Sequence, residues 1–146
     1  MEQFNDPIDQ YIQKAVSEKG PRFRALLEEF RIEKEGGTYH RIATNAGITY
    51  KTLKEIITWQ DGTCNRDILW GLSIELGLNM EETERLFNSC GMTTKYCRHL
   101  ESSRSNKQAN SFERERAIEF GILNGWDLDT INEELEKRGF EGLGSV

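Results

Sequence analysis

Three cysteines and two histidines are the residues of this 146-residue chain best suited to hold a metal or attack a substrate. Cys90, Cys97 and His99 lie near enough in sequence to share an ion, with Cys64 or His40 as a fourth ligand. The interval from Cys90 to Cys97 is wider than the roughly two to four residues usual in structural zinc sites. Cys90 also falls on the apolar face of a helical pattern, where core packing is the stronger reading. A nucleophilic Cys97 beside His99 is weaker still. No Gly-rich phosphate loop, GxSxG turn, HExxH pair or paired-carboxylate constellation occurs. An enzyme reading therefore has no residues to rest on, and neither a cofactor nor a metal is expected.

The other chemistry available is that of donors and cations. The formal net charge is −6, which opposes nucleic-acid binding in sum but not in distribution. Residues 36–66 carry four bases, Arg41, Lys51, Lys54 and Arg66, against two acids, a local +2. Residues 91–111 carry Lys95, Arg98, Arg104 and Lys107 against Glu101, a local +3. Residues 112–146 hold nine acids against four bases, a local −5. A middle less acidic than its ends permits a nucleic-acid face.

Residues 39–58 read YHRIATNAGITYKTLKEIIT. Two helices that cross closely and turn sharply need a small residue at the crossing, a glycine four positions later, and apolar residues on the inner face of the second helix. Ala43, Gly47, Leu53 and Ile56 occupy those places in register, with Ile42, Ala46 and Ile48 in the adjoining core positions. Thr38 and Thr49 stand where each helix needs a side-chain cap.

On these residues the chain resembles the Cro-type, lambda-repressor-like family of helix-turn-helix DNA-binding regulators, over roughly residues 22–90 and including LSIELGLNMEE. The resemblance implies a bundle whose second motif helix enters the major groove, and a transcription regulator, most simply a repressor, acting on double-stranded DNA. Carried onto matching positions, it implies that Thr49, Tyr50, Lys51 and Lys54 read bases and that Thr52 binds phosphate. Arg41 and the N–H groups near Tyr39 would meet phosphates, Tyr39 standing where the family commonly has a glutamine. The alternative function is a helical protein-interaction module, or a mobile-element accessory protein that grips a protein instead of DNA.

The elements that must position these residues are all helical. Asp6-Pro7 followed by Ile8, Tyr11, Ile12, Ala15 and Val16 predicts an amphipathic helix over 1–20 that ends at Gly20-Pro21. Phe23, Leu26, Leu27 and Phe30 predict a second, stopping at Gly36-Gly37. Arg66–Leu76 is apolar on more than one face, as a central helix would be, and Asn79 caps another that ends at Gly91. A helix-turn-helix domain over 21–91, a basic linker over 92–111 and a C-terminal helical hairpin over 112–146 complete an all-α chain.

A shift of 48 residues lays GLNMEETERLFNSCGM, from Gly77, over GWDLDTINEELEKRGF, from Gly125, and sets Arg66 on Arg114. Two helical hairpins of similar build are expected, 66–90 and 112–138, stacked so that Leu128, Ile131 and Leu135 are covered. The second would bind another copy of the chain, as a homodimer, or a protein partner. Trp59, Trp70 and Trp126 read as core or interface. No apolar run approaches the ~20 residues of a membrane span, and the start lacks a signal peptide's basic and apolar regions, so a cytoplasmic protein with free thiols is expected.

Overall fold

The computed structural model describes residues 7–58, 65–95 and 112–144, with the backbone alone over 15–22. Every regular element among them is a helix: α1 (Pro7–Glu33), α2 (Tyr39–Ala46), α3 (Tyr50–Thr58), α4 (Arg66–Glu75), α5 (Met80–Ser89), α6 (Phe112–Leu123) and α7 (Leu128–Lys137). None is long and apolar enough to cross a membrane. Trp59, Cys64, Tyr96, Cys97, Arg98, His99, Arg104 and Lys107 lie outside the described residues, and with them most of the expected linker and every metal-ligand candidate except Cys90 and His40.

One expectation is corrected. The predicted helix end at Gly20-Pro21 does not occur, because α1 runs unbroken from Pro7 to Glu33. A proline inside a helix has no N–H to donate and costs about 3 kcal/mol. Its φ near −65° is nonetheless helical, so the backbone can continue through it. From Phe23 onward α1 belongs to the core, with Phe23, Leu27 and Phe30 fully buried and the helix packed on α3 and α5. Ahead of that point Ile8, Tyr11 and Ile12 stay 69%, 77% and 52% exposed. The amphipathic pattern is real there, but no described residue covers its apolar side.

The core forms where α1, α2 and α3 close over α4 and α5. Trp70 of α4 is fully buried and meets the edge of Phe87 of α5 at 4.8 Å. Opposite them, α4 backs onto α2 at Gly71, where a Cβ would stand 3.0 Å from the Ala46 carbonyl oxygen. Cys90 is buried in this core, as its helical face predicts. Local signals hold the helix ends in register. Asn79 caps α5 in a reciprocal box with Glu82, and Asn65 accepts from the Ile68 N–H.

The 48-residue repeat is present in backbone detail. α5 (Met80–Ser89) and α7 (Leu128–Lys137) are the same length and superpose in sequence at that shift. Their N-caps, Asn79 and Asp127, both bind the backbone N–H three residues on. Gly77 and Gly125 have φ of 68° and 70°, and Gly91 and Gly139 of 76° and 79°. The hydrogen bonds repeat too: Leu78 N–H donates to Ser73 and Trp126 N–H to Gly121, each at 2.9 Å, while Met92 donates to Phe87 and Phe140 to Leu135, again at 2.9 Å. Ile131 and Leu135 are buried and Leu128 half-buried.

The hairpins are tied by two crossed ion pairs on repeat-equivalent residues. Arg66 donates to both oxygens of Glu115, at 2.8 and 2.5 Å. Arg114 donates to both oxygens of Asp67, at 2.9 and 3.0 Å. Exchanging the hairpins, Arg66 for Arg114 forward by 48 and Glu115 for Asp67 back by 48, turns one pair into the other, so the two hairpins meet about a local pseudo-twofold axis. Arg66 also donates to the carbonyls of Thr93 and Thr94, which anchors the first residues of the segment expected to be a free linker.

Candidate nucleic-acid interface

The segment from Thr38 to Thr58 owes its shape to two caps and one glycine. Thr38 accepts from the Arg41 N–H and starts α2. Gly47 ends it at φ 81°, ψ 24°, a left-handed conformation that glycine adopts without the steric cost of a Cβ. The Ile48 N–H then returns to the Ala43 carbonyl at 3.0 Å. Thr49 starts α3 by accepting from the Thr52 N–H at 3.0 Å. Ile42, Ala43 and Ala46 of α2 and Leu53 and Ile56 of α3 are buried, so both helices turn their polar sides outward.

Of the seven residues singled out, Arg41, Thr49, Tyr50, Lys51 and Lys54 are exposed and Thr52 is half-buried. Lys51 and Lys54 are three residues apart on α3, and Tyr50 and Lys54 four apart, so each pair shares a helix face. Among the described residues no carboxylate forms a salt bridge with Arg41, Lys51 or Lys54. Thr49 Oγ1 also donates to Thr52 Oγ1 at 2.8 Å, which leaves the Thr52 hydroxyl its own proton to give.

Tyr39 is placed differently. It is half-buried, and its hydroxyl donates to Glu28 of α1. Arg31 completes the group: it donates to Glu28 at 2.9 and 2.6 Å and to the Gly37 carbonyl at 2.9 Å, and its guanidinium carbon lies 5.3 Å from the Tyr39 ring centroid. The Tyr39 side chain therefore locks the start of α2 to α1. Only its backbone N–H remains for a ligand at the helix end.

The Arg31 guanidinium, and after it the Tyr39 hydroxyl, hold the Glu28 carboxyl down to about 2. Burial, then the Glu28 contact, pushes the Tyr39 phenol up to about 12. A carboxyl whose folded pKa lies below its unfolded one stabilises the fold fully above the unfolded value of about 4.5, and loses that contribution as pH falls toward about 2. The difference in melting temperature between wild type and Glu28→Gln should accordingly shrink across this window. A difference that stays constant from neutral pH to pH ~2 would show that the carboxylate charge is not what Tyr39 and Arg31 grip.

One residue of this face was not anticipated. His40, read from sequence only as a possible metal ligand, stacks on Tyr50 with ring centroids 4.0 Å apart and planes 11° apart. The stack ties the exposed start of α2 to the exposed start of α3. Its sequence signal, two aromatic rings ten residues apart on either side of a turn, is too common to find it by. Among the described residues no group of three His, Cys, Asp or Glu is placed to hold a metal ion.

No protein-family model matches the chain, and no curated protein or solved structure shows a significant match to it.

Proposed function

We propose that the chain is a sequence-specific double-stranded-DNA-binding transcription regulator of lambda-repressor-like build, with α2, the Gly47 turn and α3 as its helix-turn-helix and α3 as the recognition helix. One observation carries the reading. α3 buries Leu53 and Ile56 against its neighbours while Tyr50, Lys51 and Lys54 stand exposed, with cations that no described carboxylate neutralises. A helix held by one face and charged on the other suits the major groove, where Lys donates to guanine and phosphates lie to either side.

In this arrangement Thr49, Tyr50, Lys51 and Lys54 contact base edges, and Thr52 gives its hydroxyl proton to a phosphate. Arg41 and the N–H groups of Tyr39 and His40, at the positive end of the eight-residue α2, meet the neighbouring phosphate. The His40–Tyr50 stack fixes the angle at which these two groups face the duplex. The reading is of a binding protein, with no catalytic step.

Fluorescence anisotropy with duplexes from the DNA flanking its own gene tests it. Lys51→Ala and Lys54→Ala should each weaken binding by about tenfold. Arg41→Ala, which removes a phosphate contact, should instead flatten the salt dependence by about one released counterion. Affinity unchanged in the double variant would eliminate α3 as the reading helix. A second reading, a protein-binding module, is favoured by the acidic second hairpin and the apolar side chains it leaves exposed, Phe120 and Leu123. That reading predicts no duplex binding at any salt.

A further inference from the structure

The second hairpin has an open groove where the first has a filled one. Ala117, Phe120, Trp126, Ile131, Glu134 and Arg138 line a depression of about 170 Å³ between α6 and α7. Phe120 and Trp126 meet there edge to face at 5.3 Å, and Phe120 remains 54% exposed with Leu123 beyond it at 66%. Moved back by the 48-residue repeat, the six lining residues become Leu69, Leu72, Leu78, Thr83, Leu86 and Cys90, every one of them buried. In the first hairpin α2 packs on α4 and the second half of α1 on α5. The second hairpin repeats the seat without the helices that cover it.

The chain also carries a helix without a seat. Ile8, Tyr11 and Ile12, at i, i+3 and i+4, form an apolar stripe on the first turns of α1 that no described residue covers. Because α1 is one continuous helix, roughly 16 Å of it separates Ile12 from Phe23, where it enters the core. That span keeps the stripe away from the body that its own second half is packed on.

We infer that the groove between α6 and α7 receives the stripe Ile8–Tyr11–Ile12 of a second copy, and that the exchange is reciprocal. Each copy holds one groove and one stripe, so a twofold axis satisfies both and closes the assembly at two. The five exposed side chains, at on the order of 100 Å² each, supply about 500 Å² per copy. With the groove walls they bring the total near the ~1,200 Å² at which stable interfaces begin. Glu134 and Arg138, paired at 2.7 Å, line the polar side of the groove.

Sedimentation equilibrium on the full chain, over a micromolar concentration series, tests this. Wild type should dimerise. Ile8→Glu/Ile12→Glu and Phe120→Glu/Leu123→Glu should each weaken the dimer at least about fiftyfold, with circular dichroism unchanged because all four positions are exposed. An equimolar mixture of the two variants should regain a heterodimer, since the groove of one and the stripe of the other make one intact junction. A monomeric wild type, a dimer that survives in either variant, or a mixture that stays monomeric would each overturn the inference. A dimer that survives in one variant alone would mean that stripe pairs with stripe or groove with groove. The inference stands apart from DNA binding: a dimer that binds no duplex removes the proposed function only, and a monomer that binds one removes the exchange only.

Discussion

Arg66→Ala is expected to lower folding stability by about 3–5 kcal/mol, the usual consequence of stranding one member of a buried ion pair. Glu115, its partner, is 2% exposed in its side chain, and both carboxylate oxygens are taken up by Arg66. Without the guanidinium that charge has neither water nor a cation. The carbonyls of Thr93 and Thr94 lose donors in the same step. Arg66 is itself 17% exposed, so water can follow the path it vacates and the loss belongs in the lower half of the range. In a chain of this size that is a fall of roughly 10 °C in Tm.

The controls separate the pair from the position. If the penalty is a stranded charge, Arg66→Met/Glu115→Leu should recover most of it, because an apolar pair of similar bulk needs no partner. Arg66→Ala/Glu115→Ala should be more stable than the sum of its single variants. Urea melts of the four proteins give the coupling directly. A loss under about 1 kcal/mol for Arg66→Ala, or strict additivity, would show that the hairpins are joined by their apolar contacts alone. The mirrored pair behaves less severely on its acidic side, since Asp67 is 42% exposed and water can reach it once Arg114 is gone.

The crossed pairs also mark where sequence reading stops. Caps and helix ends are set by residues a few positions apart, so Thr38, Thr49, Asn79 and Gly47 are legible, and so is the repeat that places Arg66 over Arg114. That Arg66 crosses to Glu115, not to the Asp67 beside it, depends on two hairpins meeting 49 residues apart in the chain. No local pattern encodes that distance. Pro21 failed as a helix stop for the opposite reason: a local penalty of about 3 kcal/mol is outweighed by the helix on either side. At the candidate interface, Lys51, Lys54, Tyr50 and Arg41 were legible as polar positions opposite a buried stripe. The retreat of Tyr39 onto Glu28 was not, because it depends on how α1 passes the start of α2.

Gly47→Ala should cost about 3 kcal/mol of stability, for two reasons that can be told apart, and under the proposed DNA-binding function it should also weaken duplex binding. Its φ of 81° penalises any residue with a Cβ by roughly 1–2 kcal/mol. Independently, that Cβ would stand 2.7 Å from Gly144 Cα, a backbone atom that cannot rotate away. Gly144 is held there by its neighbour: Asn132 donates to the Leu143 carbonyl at 3.0 Å and accepts from the Leu143 N–H at 2.7 Å. Asparagine tolerates left-handed backbone better than alanine but has the same Cβ. Gly47→Asn should therefore recover only part of the loss, and Asn132→Ala, which frees the segment at Gly144, should make Gly47→Ala cheaper than it is in the intact chain. If Gly47→Asn melted with wild type, the turn would need only its φ, and the contact with Gly144 would carry no energy. If instead Gly47→Ala kept full stability, α2 and α3 would not depend on this turn for their crossing, and the placement of Lys51 and Lys54 would have to come from the core beneath them.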